Sequence, residues 1–440
     1  MISTSGLHID QAPPLNIPFR FFGTAPLFLL LGGAALLFWG DDLLVTPLAP
    51  PTIVLTHLAV LGWLAMVMVG AMYQMIPVLA GLPMPWIGLA PWVHGLLCLG
   101  LLALVAEIGL GLHRWLLLVA SAGLGGAVGL FLLQTGVALY RSPVRHPTVT
   151  AMAIAATSLA GVLALGGLFL GEYAHGFFDL DRQALVGIHL LWGLLGWVGT
   201  LILGVSMQVL PMFYVMPAYP PATGRRVLAW WSFTLLLLPA SLLVTPEQPL
   251  LLWAAALPGV AALGLHVRTL ASLAAARQRR ILDATYRFWL LGGACVVLAL
   301  GLLALWPVWP GDGLRFLFGV LFLWGGATSI ILGMLHKIIP FLVWFHRYSS
   351  LAGLVDIPMM DDLVPAPMAR GHVPLHATVL FLLAGAIVWP ALLPLAGLGL
   401  ILSGATLAWL LAFALGQPVP EKPDLPDFAS FFKDLPPPAS

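Results

Sequence analysis

The chain has 440 residues, of which 61% are apolar and only 8% charged, with a formal net charge of +1. Soluble domains carry about 25% charged residues, so a water-soluble globule is excluded and a polytopic helical membrane protein remains. The two cysteines, Cys98 and Cys295, both lie in apolar runs, which excludes a disulfide framework or a Cys-x-x-Cys metal motif, and no Lys/Arg block is present to grip nucleic acid.

Residues 1–19 contain no Lys or Arg, which argues against a cleaved signal peptide, and they read as a short cytoplasmic segment. A bilayer core of about 30 Å takes about 20 apolar residues per helix. Twelve runs meet that length: 20–40, 52–80, 90–111, 114–140, 148–171, 185–213, 226–245, 248–268, 286–308, 314–340, 374–392 and 394–416. Residues 20–416 therefore read as one all-α integral membrane domain. The remainder, 417–440, is rich in Pro, Asp and Lys, a composition that predicts a disordered cytoplasmic tail.

The basic residues orient these spans. With the N-terminus in the cytoplasm, 15 of the 18 Lys and Arg fall on cytoplasmic loops and span ends, and only Arg114, Arg182 and Arg315 fall outside. This is the positive-inside asymmetry, and a missed or invented span would scramble it. The expectation is an even number of spans, both termini cytoplasmic, in a bacterial inner membrane, with the lipid bilayer as partner.

The second, sixth and tenth spans carry one pattern. Two glycines stand eight residues apart and a proline follows seven later: Gly62, Gly70 and Pro77; Gly196, Gly204 and Pro211; Gly325, Gly333 and Pro340. Copies are offset by 134 and 129 residues, four helices each time, so the twelve helices read as three pseudo-symmetric groups of four. Small residues four apart favour close helix approach in lipid. Gly196, Thr200 and Gly204 form such a ridge, as do Gly325, Ser329 and Gly333, while Met66 interrupts the first. Each proline is expected to cap its helix where the chain leaves the membrane.

Packing explains the glycines but not the histidines. His57 and His189 open the second and sixth spans near the outer surface. Intramembrane ionisable residues are expensive and neutral imidazole is a common metal ligand, so this pair is the candidate cofactor or metal site. The alternative for each is a hydrogen bond to a backbone carbonyl. They sit five and seven residues before their glycines, so they are not strictly equivalent in the repeat. Glu107, toward the outer end of the third span, serves a proton path, pairs with a histidine, or is a protonated carboxyl bonded to a neighbouring helix. At the inner ends, Gln74, Gln208 and Lys337 occupy one repeat position beside His336. They either line an inner vestibule or snorkel to the headgroups. His113, His146, His175, His346 and His372 fall in loops or at span ends, and His8, His266 and His376 have no partner that the sequence names.

Twelve helices in three groups of four, with a histidine entering the second and sixth from outside, resemble subunit I of the haem-copper oxidase and nitric oxide reductase superfamily. The run from His57 through Gly62-Trp63 to Gly70-Ala71-Met72-Tyr73-Gln74-Met75-Ile76-Pro77 is similar to a histidine-bearing helix of the C-type oxidases. Pro18-Phe19-Arg20-Phe21-Phe22 and the Gly70-to-Pro77 spacing are also similar to NnrS, a membrane haem-copper family associated with nitric oxide tolerance. The oxidases' paired copper ligands are missing from the seventh span (Val227 to Phe233), their His-x-His pair from the opening of the tenth (Arg315 to Val320), and Gly193 stands where the sixth would carry tyrosine.

The resemblance therefore implies no oxygen-reducing binuclear centre, and at most one haem b or one copper, held by His57 and His189. A low-spin haem takes two axial ligands. Enzymatic activity is not implied. The functions that fit are nitric oxide response, electron transfer or oxidase maturation, with a respiratory oxidase or reductase complex as partner. Two other classes compete. One is a membrane transporter, since repeats around an axis also occur there. The other is a cofactor-free assembly partner docking through 345–373, a segment that contains Met359, Met360, Asp361, Asp362 and Met368.

Overall fold

The computed structural model describes residues 8–176, 182–244, 248–305 and 311–421. Most of the expected tail, 422–440, and residues 1–7 lie outside them. Among the described residues every regular element is helical, and eleven helices are long and apolar enough to cross a membrane: α1 Asn16–Leu44, α2 Pro50–Ala80, α3 Ile87–Gly109, α4 Leu116–Arg141, α5 Pro147–His175, α6 Arg182–Tyr214, α7 Pro221–Val244, α8 Pro249–Ala275, α9 Ala284–Leu303, α10 Asp312–Arg347 and α12 Pro390–Gly416. The shortest has 20 residues, which at about 1.5 Å per residue covers a hydrocarbon core of about 30 Å. Large apolar side chains such as Leu118, Leu236 and Phe381 are exposed on the outer faces, as a lipid-facing surface requires. Between α10 and α12 lies α11, Ala366–Ala386. It carries Arg370, His372 and His376 and falls short of the apolarity of the other eleven.

α11 begins eight residues before the expected start at 374. Hydropathy places the boundary after Arg370 and His372, but His372, like His376, is buried within the protein and so needs no exit from the bilayer. The prolines also depart from expectation. Pro77, Pro211 and Pro340 lie inside their helices, which run on to Ala80, Tyr214 and Arg347. A proline removes one backbone donor, and membrane helices tolerate this where neighbours compensate. The stop of α2 is instead Gly81, at φ +74°, a left-handed terminator that suits glycine.

The repeat has a backbone counterpart that composition does not announce. α2, α6 and α10 each contain a π-helical stretch, Leu58–Ala65, Trp192–Gly199 and Val320–Thr328. The first two are related by the 134-residue offset at both ends, and the third ends at the matching residue. π-Helical turns are rare and usually short, so three at equivalent places mark a shared architecture.

The repeat glycines show what that architecture packs. A methyl group at any of the six would come within 2.7 Å of a neighbour. Gly62 and Gly70 of α2 meet Phe28 and Phe21 of α1. Gly196 and Gly204 of α6 meet Ser158 and Ala151 of α5. Gly325 and Gly333 of α10 meet Cys295 and Phe288 of α9. The partner residues are themselves seven apart each time. Thr148 Oγ1 donates to Gly204 O at 2.9 Å and Thr285 Oγ1 to Gly333 O at 2.8 Å; at the matching place in α1, Pro18 has no hydroxyl. Glycine lets two backbones approach and exposes a carbonyl to a hydroxyl across the interface.

At their proline ends α2, α6 and α10 converge on a narrow apolar cavity. Met75, Val209 and Ile338 line it at one repeat position, and Val78, Met212 and Phe341 at another. Midway along, Trp63 Nε1 donates to Thr328 Oγ1 at 3.0 Å and ties α2 to α10.

Candidate functional site

His57 and His189 lie at the opposite ends of α2 and α6 from the prolines. His57 ends an α-helical turn just before the π stretch, and its Nδ1 donates to the carbonyl of Ile53 at 2.7 Å. Since a carbonyl only accepts, that bond fixes the tautomer and leaves Nε2 with its lone pair. His189 follows from Ile188 in the first turns of α6. Its Nδ1 is buried without a hydrogen bond of ordinary geometry, although the Val162 carbonyl approaches the ring. Phe169 packs edge-on against it at 5.5 Å, and the missing side chain of Gly166 leaves room beside Cε1.

The centroids of the two rings lie 6.5 Å apart, with planes inclined by 31°. Two imidazoles gripping one ion from opposite sides, with metal–nitrogen bonds of about 2.0–2.1 Å, place their centroids roughly 6.3 Å apart. The observed separation therefore suits one ion between them. The pair meets although its members are two positions out of register in the repeat. Among the described residues no group of three or more His, Cys, Asp or Glu side chains is arranged to hold a metal ion. A two-donor site suits a haem iron, whose macrocycle brings its own nitrogens, or a soft, low-coordinate ion such as copper(I).

The other expected site residues do not join this pair. Glu107 is buried, and its Oε2 accepts from the backbone N–H of His113 at 2.9 Å. Its observed partner is thus the loop after its own helix, not a histidine side chain or a neighbouring helix. Gln74 and Gln208 line the apolar cavity at the proline ends, and the Oε1 of Gln74 is buried without a partner.

Lys337 is not among the residues lining that cavity, nor does it snorkel. It is buried, with Nζ 2.8 Å from Asp283 Oδ2 in an ion pair outside hydrogen-bond geometry, and 3.6 Å from Asp361 Oδ1. An ammonium withdrawn from water needs a counter-charge, and the chain between α8 and α9 supplies it. Asp283 Oδ1 accepts from Tyr214 Oη at 2.7 Å and from the Tyr286 N–H at 2.9 Å. Burial works against its ionisation, but the contacts with Lys337, Tyr214 and Tyr286 outweigh it and hold the carboxyl below its usual range.

His94 pairs with Thr24 Oγ1 at 2.8 Å, and both nitrogens of His266 are engaged, by Ser206 at 3.0 Å and Tyr219 at 3.1 Å. These are satisfied structural histidines. His336 is different: it is buried, its Nδ1 donates to Leu332 O at 2.8 Å, and it lies beside His372 and His376, for which the sequence suggests no role. The four-residue spacing of those two on one helix is the signal that points to them, since it puts both on one face. The chain matches no family model and no curated protein.

Proposed function

We infer that this chain is a haem- or metal-binding polytopic membrane protein, organised as twelve spans in three groups of four like haem-copper oxidase subunit I and NnrS. In this reading α11 is the twelfth span, both termini are cytoplasmic, and the membrane is a bacterial inner membrane. The group held is one haem b or one copper. With no group of three or more ligand-type side chains arranged for a metal among the described residues, the role is electron transfer, nitric oxide response or oxidase maturation rather than oxygen reduction.

The observation that carries this reading is the 6.5 Å separation of His57 and His189, from two helices that share glycines, a π stretch and a proline. His57 is held by Ile53 in the manner of a ligating imidazole, whose second nitrogen is usually anchored by a carbonyl or carboxylate. A bound haem would supply one-electron redox chemistry. The protein's own part is to aim two neutral imidazoles at one point and to surround them with apolar helix.

The test is the absorption spectrum of protein purified from haem-replete cells, oxidised and then reduced. A Soret band is expected, displaced or lost in His57→Ala and in His189→Ala. A colourless preparation without metal ends the proposal.

A further inference from the structure

A second group of imidazoles converges at the proline end of α10. His336 comes from α10, and His372 and His376 from one face of α11. The three are 8%, 1% and 0% exposed. The rings of His336 and His372 lie 5.2 Å apart. Phe288 of α9 touches all three, at 5.5, 5.9 and 5.5 Å, and Trp324 covers His376 at 4.7 Å.

Each ring has one nitrogen engaged. His336 Nδ1 donates to Leu332 O, His372 Nε2 pairs with Ser403 Oγ, and His376 Nε2 pairs with Ser329 Oγ, all at 2.8 Å. The other nitrogen of each, His336 Nε2, His372 Nδ1 and His376 Nδ1, is buried without a hydrogen bond of ordinary geometry, although the Trp324 carbonyl approaches the His376 ring. One orphaned buried polar atom costs about 1–3 kcal/mol, so those of His336 and His372, against one phenyl ring, call for an occupant. One nitrogen anchored by an oxygen and the other free is also the arrangement in which imidazoles ligate metals. Two histidines four apart on a helix are a recurrent chelating pair.

We propose that His336, His372 and His376 form a binding site for a single copper(I) ion, separate from the His57–His189 pair and occupied when the Phe288 ring turns aside. As the rings stand, Phe288 lies against all three, and no three donors are arranged around an ion. Two imidazoles bound to one ion at a tetrahedral to trigonal angle have centroids roughly 5.2–5.5 Å apart, taking metal–nitrogen bonds of about 2.0–2.1 Å. His336 and His372 already stand at that distance.

The ligand chemistry selects the ion. All three donors are neutral nitrogens in apolar surroundings, and the carboxylate facing His336, Asp283, is committed to Lys337. The cost of transferring an ion scales with the square of its charge, so a monovalent ion meets about a quarter of the penalty of a divalent one. Copper(I) is the soft monovalent ion that imidazoles hold.

The test uses the full-length chain with His57→Ala and His189→Ala, purified without metal and titrated with copper(I) against bicinchoninate as a coloured competitor. One equivalent is expected to stay with the protein, with X-ray absorption at the copper edge showing imidazole nitrogen and no sulfur. Adding His372→Ala or His376→Ala should weaken retention at least tenfold, and Phe288→Leu should strengthen it several-fold. No retained copper in the double-alanine background overturns the proposal, as does unchanged affinity after loss of His372 and of His376. Should the histidine variants fail to fold, sulfur or non-imidazole coordination in the parent spectrum overturns it equally.

Discussion

Replacing Gly204 with alanine tests the helix contact on which the repeat is built. The new Cβ would lie 2.1 Å from Ala151 Cβ, where carbon atoms need about 3.5–4.0 Å, so α5 and α6 must move apart by more than an ångström. Overpacking of this kind costs about 1–3 kcal/mol. The same movement stretches the Thr148–Gly204 hydrogen bond of 2.9 Å, worth about 0.5–1.5 kcal/mol, and the expected loss is about 2–4 kcal/mol. The structure also specifies the cure. With Ala151→Gly in place, the nearest remaining atoms to that Cβ are Ala151 Cα at 3.6 Å and Thr148 O at 3.9 Å, ordinary contacts both. The double variant Ala151→Gly/Gly204→Ala should therefore recover most of the stability, less about 1 kcal/mol for glycine in the α5 interior. Gly136, where an added methyl group would meet nothing within 4 Å, is the control, and Gly136→Ala should be neutral or stabilising. Reversible unfolding of detergent-purified protein, followed by circular dichroism, measures the parent and all three variants. A Gly204→Ala protein within about 0.5 kcal/mol of the parent, or a double variant no better than the single, would refute this account of the contact.

Three further outcomes follow from polar contacts and from the third copy of the glycine interface. Asp283→Asn should cost about 3 kcal/mol or more, because it leaves Lys337 buried beside only the exposed Asp361; Lys337→Met should cost less, since Asp283 keeps Tyr214 and Tyr286. The Asp283 carboxyl is held below its ordinary value of 3.8, so its stabilisation is complete above that pH and drains away only as pH falls below it. Unfolding temperature should accordingly be insensitive to this group from about pH 8 to about pH 5, and Asp283→Asn should lessen the acid-side decline; an equal decline in both proteins argues against the pair. Trp63→Phe removes the buried bond to Thr328 and should cost about 1–2 kcal/mol in the same unfolding assay, with a Thr328→Val partner giving a non-additive sum. Gly333→Ala places a Cβ 2.7 Å from Phe288 Cβ and should alter copper(I) retention at the three-histidine cluster as well as stability, whereas Gly204→Ala should alter stability alone.

Much of the packing is legible in the sequence because lipid leaves few ways to bring helices together. The paired glycines and the prolines of α2, α6 and α10 align by eye, and every one of those six glycines sits against a neighbouring helix. The π stretches cannot be read, because Leu58–Ala65 or Trp192–Gly199 has the same apolar composition as an ordinary helix. The ion pair of Lys337 is hidden for a different reason. Snorkelling depends only on position along a helix, whereas pairing depends on Asp283, which comes from another part of the chain. His372 and His376 are obscured in a related way. With Arg370 they lower the hydropathy of α11, so that the apparent membrane boundary falls past His372, although their partners, Ser403 and Ser329, lie in α12 and α10.

The repeat also indicates where chemistry resides, by the positions at which it fails. Gly62, Gly196 and Gly325 agree, as do their partners' spacings, because all three interfaces solve one packing problem. The residues equivalent to His57 are Leu191 and Val320, and those equivalent to His189 are Leu55 and Phe318. Packing would be served by an apolar residue at each of these places, as it is in the other copies. At the next level, Tyr73 packs on Phe21 at 5.5 Å as His336 packs on Phe288 at 5.5 Å, while Met207 takes the same place in α6. Tyr73 is satisfied by Gln134 at 2.7 Å, and Met207 has no donor to satisfy, but His336 keeps a buried nitrogen with no partner. A polar group that replaces an apolar equivalent and is left unsatisfied lowers stability unless something binds it. Among the described residues the histidines depart in two places, His57–His189 between the first and second copies, where His189 Nδ1 is the unsatisfied atom, and His336–His372–His376 in the third, at opposite ends of the repeat helices. On the proposals above each departure holds one ligand, and the two lie at opposite ends of one set of glycine-packed helices.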